Sequence, residues 1–242
     1  AMVTKSIQKF SNDHHLYDRR DPALVKNLKS PGSVEQQMNT GNDNTGNENG
    51  ISESKVIGDN IGYLKLTGIN ISKKSLPLLY DAMRKVENTN ALIIDLRDNK
   101  GGGSEVGSVL ESYFLPANTP LLEFMSRQGT QTIDSTVNWL EEKKYGKPVY
   151  IITNKNTASA AEAFAFVMQQ HKRAKIIGET TAGAANRNEW YVVNDENYLS
   201  VSTESTFLPG TQITWEQTGI KPDIRLKNGD PVQYVLANMP KE

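Results

Sequence analysis

The chain has 242 residues, 37% of them hydrophobic and 23% charged, which suits a globular protein of one main domain with a full core. Lys and Arg total 27 against 28 Asp and Glu, so no net field draws the chain to nucleic acid or to an anionic membrane. Cysteine is absent, which removes disulfides, thiol nucleophiles and thiolate metal sites, and any chemistry must use oxygen or nitrogen groups. No run approaches the ~20 apolar residues of a membrane span, and the N-terminus lacks the apolar core of a secretory signal. The opening Ala1–Met2 reads as a scar, so a signal or upstream domain is expected to have been cut away.

Taken in chain order, residues 1–30 form a short N-terminal arm that carries "FSNDHHLYDRRDP". Residues 31–54 are rich in Asn, Gly and Glu, with only Val34, Met38 and Ile51 to bury, and read as a linker. From residue 55 to 242, short apolar runs alternate with helical patterns, the grammar of an α/β domain. "IGYLKL" reads as a strand, followed by a helix with Leu76, Leu79, Met83 and Val86 on one face, and then by the strand "ALIIDL". A second helix is expected from near Ser104, with Val106, Val109, Leu110 and Tyr113 inward. "PLLEFMS" and "PVYIIT" read as strands, and a small-residue helix runs from Ser159 to about His171. "AKIIG" is another strand, "WYVVNDENYLSVS" a hairpin around Asn194–Asn197, and "DPVQYVLANM" a closing helix capped by Asp230. The sheet should be mixed, with helices covering it.

Two strand-to-helix junctions offer chemistry. In "IIDLRDNKGGGSE", Gly101, Gly102 and Gly103 follow a buried strand, where backbone N–H groups can approach an anion unhindered. A plain turn remains open there, whereas the phosphate-loop and dinucleotide patterns fail on spacing. In "TNKNTASAAEAF", Ser159 opens a helix whose small residues admit a substrate and whose N-terminus favours developing negative charge. A helix cap is the plainer role for that serine.

A nucleophilic serine needs a base. His171 lies twelve residues along the same expected helix. At ~1.5 Å per residue it is roughly 18 Å away and out of reach. That leaves His14 or His15, beyond the linker, or a lysine.

"DLRDNKGGG", "NTASAAE", "AKIIGETTAGAA" and "WEQTGIKPDI" resemble, in order and spacing, the tail-specific or C-terminal-processing serine peptidase family, over about residues 55–240. The resemblance implies a crotonase/ClpP-like α/β superhelix and a serine endopeptidase with Ser159 as nucleophile. In the family's lysine-dependent branch the base lies twenty-five residues beyond the nucleophile, which here is Ala184, a residue that cannot take a proton. The chain therefore resembles the other branch, that of tricorn core protease and interphotoreceptor retinoid-binding protein, whose peptidases use serine, histidine and glutamate. "NDHHL" is similar to that branch's Asp-x-His-Leu segment and matches the base to His15; Glu216 in "WEQTGIKPDI" resembles the acidic member, acting on the imidazole directly or through His14. Gly101, Gly102 and Ala160 are the expected oxyanion hole, with Gly102 and Ala160 N–H as its donors.

No metal, cofactor or nucleic-acid partner is implied. The expected partner is a peptide or protein, the oligomeric state is open, and only the resemblance favours an extracytoplasmic or periplasmic location. A non-catalytic module for a hydrophobic ligand is the first alternative, and a crotonase-like acyl-CoA enzyme the second.

Overall fold

The computed structural model describes residues 2–11, 13, 15–29, 50–226 and 228–238. The arm holds α1 (Met2–Ser11), β1 (Tyr17–Arg20) and α2 (Pro22–Leu28). The core follows as β2 (Ile51–Ile57), β3 (Ile61–Leu66), β4 (Ile69–Ile71), α3 (Leu76–Val86), β5 (Ala91–Asp95), β6 (Gly102–Ser104) and α4 (Val109–Ser112). Next come β7 (Pro120–Ser126), β8 (Gln131–Ser135), β9 (Val149–Thr153), α5 (Ala160–Gln170), β10 (Ala174–Gly178), β11 (Arg187–Val192), β12 (Asn197–Phe207), β13 (Ile224–Arg225) and α6 (Pro231–Asn238).

Six strands make the central sheet in the order β13-β10-β9-β5-β3-β2, all parallel except β2, which runs antiparallel to β3 at one edge. The mixed sheet covered by helices is thus present. In a parallel sheet both faces are covered, so its central strands are continuously apolar rather than alternating. β5 shows the consequence: Leu92 and Ile94 enter the larger core with Leu79 and Met83 of α3 and Phe164 and Met168 of α5. Ala91 and Ile93, on the opposite face, pack with Ile152, Ile177 and Val235 of α6. Asp230 caps α6 as expected, accepting from Val232 N at 3.0 Å.

A second sheet, β1-β12-β7-β8 with β11 also on β12, brings the arm to the core. β1 pairs antiparallel with β12 from Tyr17 opposite Ser200 to Arg20 opposite Asn197. The Tyr17 ring meets buried Tyr198 edge to face at 6.1 Å, and exposed ion pairs join Arg20 to Glu196 and Lys29 to Asp195.

Two expectations are corrected. The linker does not reach residue 54, because β2 begins at Ile51 and hydrogen-bonds along β3; an edge strand tolerates the polar Ser, Glu and Lys that made this stretch read as loop. Most of the remaining linker lies outside the described residues. No helix starts near Ser104: Gly102–Ser104 pair with β4 instead, Gly107 turns the chain at φ +73°, and the helix begins at Val109. The arm that carries the histidine motif contains two helices and a strand.

Candidate active site

β5 and β9 are neighbouring parallel strands, so their C-terminal ends open on the same edge of the sheet, where open α/β sheets bind ligands. The segment after β5 leads to Gly101, and the segment after β9 leads to Ser159. The two are laced together: Thr157 Oγ1 donates to Leu96 O (2.8 Å), Ala158 N to Asn99 O (2.9 Å), and Asn156 Nδ2 to Asp98 Oδ1 (2.8 Å). Hydrogen bonds from Asn156 and Asn154 hold the Asp98 carboxyl below the usual carboxylate range.

Ser159 is the N-cap residue of α5, as the plainer reading expects, but its backbone is unusual, with φ +54° and ψ −125°. A residue with a Cβ pays ~1–3 kcal/mol for such a conformation, and strain of this kind gathers at functional turns. A sharp strand-to-helix turn of this shape presents a serine Oγ outward.

Gly101 stands against that turn at φ +95°, and a Cβ on it would lie 2.7 Å from Ala160 N and 2.8 Å from Ser159 Cβ. Only glycine leaves the space in front of the serine open. The Gly101 N–H itself donates to Asn99 Oδ1 at 2.8 Å, so Gly101 supplies clearance and its N–H is already engaged. Gly102 differs. Ile69 N bonds to Gly101 O in the β4–β6 pair, a register that turns the Gly102 N–H away from β4. Ala160 N–H is the first of α5 and belongs to the turn that no intrahelical acceptor serves.

His15 reaches this place from the arm. Its ring is buried, 8% exposed, and its Nε2 lies 3.4 Å from Ser159 Oγ. Proton transfer works at roughly 2.6–3.2 Å, and such contacts commonly tighten when substrate binds. The Asp-x-His spacing has a local cause: Asp13 Oδ1 accepts the His15 N–H at 2.8 Å and fixes the backbone that presents the ring. His171 caps the far end of α5. His14 lies outside the described residues.

Glu216 lies in the segment between β12 and β13, beside buried Trp215, whose ring packs on Phe166 at 4.6 Å. Its Oε2 accepts from Ala185 N (2.7 Å) and Asn186 N (3.0 Å). Ala184 is buried, with its N–H bonded at 2.9 Å to Glu162 Oε2. Gly183, at φ +84°, lets the 180–186 segment close on Gln217, where a Cβ would come within 3.0 Å of backbone.

Sequence reasoning passed over Glu162. Its side chain accepts from Ser159 N at 3.0 Å and from three further donors in the 181–184 segment. The Ser-x-x-Glu spacing of a capping box, present in "SAAE", was the signal that could have found it. Among the described residues no group of three or more His, Asp or Glu could hold a metal ion, and no helix is long and apolar enough to cross a membrane.

The fold and this edge define a mixed α/β domain with a strained serine turn, a facing glycine turn and a histidine delivered from a separate segment. The model of peptidase family S41 matches residues 60–226, well over half of the chain, and the protein belongs to that family. It is 29% identical over 172 residues to carboxyl-terminal-processing peptidase 2, chloroplastic, of Arabidopsis thaliana, covering 71% of this chain and 33% of that one. It is also 29% identical over 168 residues to the carboxyl-terminal-processing protease of Synechocystis sp., covering 69% and 38%. The chain therefore spans little more than a third of these relatives. Among solved structures, a lipoprotein from Streptococcus agalactiae superposes with a TM-score of 0.67 at 19% identity, over 98% of this chain and 79% of that one. A putative peptidase from Parabacteroides merdae gives 0.65 at 18%, over 93% and 74%. These two likenesses concern the fold.

Proposed function

We propose that the protein is a serine endopeptidase in which Ser159 is the nucleophile, His15 the general base and Glu216 the acidic support. The observation that carries this reading is the 3.4 Å approach of His15 Nε2 to Ser159 Oγ at a strained turn. Membership in a peptidase family supports a peptide or protein as substrate.

In the reaction, Ser159 Oγ gives its proton to His15 Nε2 as it bonds to the carbonyl carbon of the peptide. Negative charge moves onto the carbonyl oxygen, where the N–H groups of Gly102 and Ala160 receive it; one such donor is worth about 10²–10³ in rate. The C–N bond then breaks, the imidazolium hands its proton to the leaving amine, and water, deprotonated by His15, releases the acyl group from Ser159. Glu216 holds the Ala185–Asn186 backbone with its carboxylate, and its negative charge is the acidic support proposed for the His15 imidazolium. A groove of about 350 Å³ opens beside Asn186, whose N–H donates to Glu216, with Met125, Arg127, Glu204 and Phe207 on its walls.

The hydrophobic-ligand alternative draws no support from the apolar cavity between Ile51, Leu66, Ile71 and Leu110, whose volume of about 10 Å³ is too small for such a ligand. Treatment with a fluorophosphonate, with the adduct mapped by mass spectrometry, tests the proposal. An adduct on Ser159 that disappears in His15→Ala is expected. A folded protein with no adduct there would overturn it.

A further inference from the structure

Glu162 is fully buried, and both its oxygens are saturated by donors. Oε2 accepts from Ser159 N at 3.0 Å and Ala184 N at 2.9 Å, while Oε1 accepts from Gly183 N at 2.7 Å and Thr181 Oγ1 at 2.5 Å. A helix cap needs only the first of these contacts. The other three leave the helix and hold the segment that continues, through Ala185 and Asn186, to the carboxylate of Glu216. One buried side chain thus links the serine turn to the segment that Glu216 grips.

Among the described residues no ion pair reaches Glu162; burying a carboxylate without one costs several kcal/mol, whereas a single neutral side-chain oxygen is enough to cap a helix start. What the carboxylate supplies is a charge-assisted bond at the backbone of Ser159, where φ is +54°. Taking the reading of Ser159 as nucleophile as its basis, we infer that Glu162 is a positioning residue: it holds the Ser159 backbone in its strained turn and sets that turn against the 181–184 segment. Glu162 does not touch substrate, and it acts on the direction of Ser159 Oγ and of the Ala160 N–H that follows it.

Glu162→Gln preserves shape but turns an NH₂ group toward backbone N–H groups, so the grip loosens without a cavity. Thr181→Val removes one donor to Glu162 and leaves Glu162 in place, but it also strands Ile220 N, which donates to Thr181 Oγ1 at 2.7 Å. Thr181→Ser, which keeps the hydroxyl for both bonds, is its control and should keep the parent rate. Labelling by a fluorophosphonate over a range of concentrations and pH separates the maximal rate, the half-saturating concentration and the pH midpoint, each corrected for the folded fraction. The maximal rate in Glu162→Gln should fall about 10–100-fold, the scale on which misplacing a reacting group acts. Thr181→Val should lose about 3–10-fold in the same parameter, as a partial version of the same misplacement. Half-saturation should stay within about threefold and the pH midpoint should not move, because the imidazole is untouched.

A merely structural glutamate would lower the folded fraction and leave the rate of folded molecules unchanged. That result, or a loss confined to half-saturation or to the pH midpoint, would overturn the inference. If Glu162→Gln does not fold, Thr181→Val decides by the same criteria. Absence of the Ser159 adduct in the parent chain would remove the nucleophile itself and this inference with it; labelling of the parent with unchanged rates in folded variants would remove this inference alone.

Discussion

His15 Nε2 lies 3.4 Å from Ser159 Oγ across 144 positions of the chain. The two residues meet because β1, immediately after His15, docks on β12. Activity should therefore depend on a docking contact outside both hydrophobic cores. Tyr198 makes that contact with Tyr17 and belongs to neither core. Tyr198→Ala should leave the far-ultraviolet circular dichroism of the core unchanged and slow Ser159 labelling toward the level of His15→Ala. Losing a general base costs about 10²–10⁴. Labelling at the parent rate would show that docking through Tyr198 is dispensable.

The serine turn predicts a conflict between stability and reactivity. Ser159 has φ +54°, a region that glycine enters without a Cβ penalty. Ser159→Gly should be more stable than Ser159→Ala by about 1–2 kcal/mol, the scale of backbone strain at such positions. Both should lose labelling at this site. Equal melting temperatures for the two variants would show that the turn carries no strain.

Gly101→Ala places a Cβ 2.7 Å from Ala160 N and 2.8 Å from Ser159 Cβ. The backbone must part there, which displaces the donor expected to hold the oxyanion. Labelling should fall by about 10²-fold or more, and the melting temperature should drop as well. Measured side by side, Gly129→Ala supplies the control, since Gly129 also has positive φ but its added Cβ meets nothing within 4 Å. Equal labelling losses in the two variants would remove the steric argument.

Lysine is expected to take no part in the chemistry. Ala184 stands where the lysine-dependent branch has its base, and Lys100 Nζ is engaged with Asn156 O at 3.1 Å. Lys100→Met, Lys155→Met, Lys172→Met and Lys175→Met should each label within a few-fold of the parent, as should His171→Ala. A loss of about a thousandfold in any of the lysine variants, the size of a missing general base, would move the base assignment away from His15.

Glu111, on α4, should tune stability with pH. Burial, with the charge of Asp134 added, pushes its carboxyl up to about 7, against an unfolded value of about 4.3. The folded chain then binds more protons than the unfolded chain between these values, so Glu111 makes stability fall as pH rises through that window. Glu111→Gln should stabilise the protein at pH 8 by at most about 4 kcal/mol and change little at pH 4. Denaturant melts at the two pH values read this directly, and an equal effect at both would contradict it.

Much of the core was legible because its signals are local. The apolar runs of β3, β5, β9 and β10 carry strand patterning, and Leu79, Met83 and Val86 share one face of α3 as their spacing requires. Glycine and asparagine punctuation was weaker evidence. It marked residues up to 54 as linker, although pairing along β3 extends the sheet to Ile51, while the apolar spacing of Val106, Val109, Leu110 and Tyr113 suggested a helix from Ser104, where β4 instead recruits a strand.

From the sequence alone came the alternation of strands and helices, the serine at a helix start, the glycine turn, and a base that could not be His171, while only the family resemblance singled out position 184. Those conclusions depend on spacing along one element or on what a side chain can chemically do. Only the tertiary structure decided that β1 lies on β12 and brings His15 beside Ser159, that Gly101 clears the turn while Asn99 takes its N–H, and that Glu162 joins Ser159 to the 181–184 segment. Each of these is a contact between segments far apart in the chain, and backbone amides, which every residue carries, leave no mark in a sequence until folding chooses their partners.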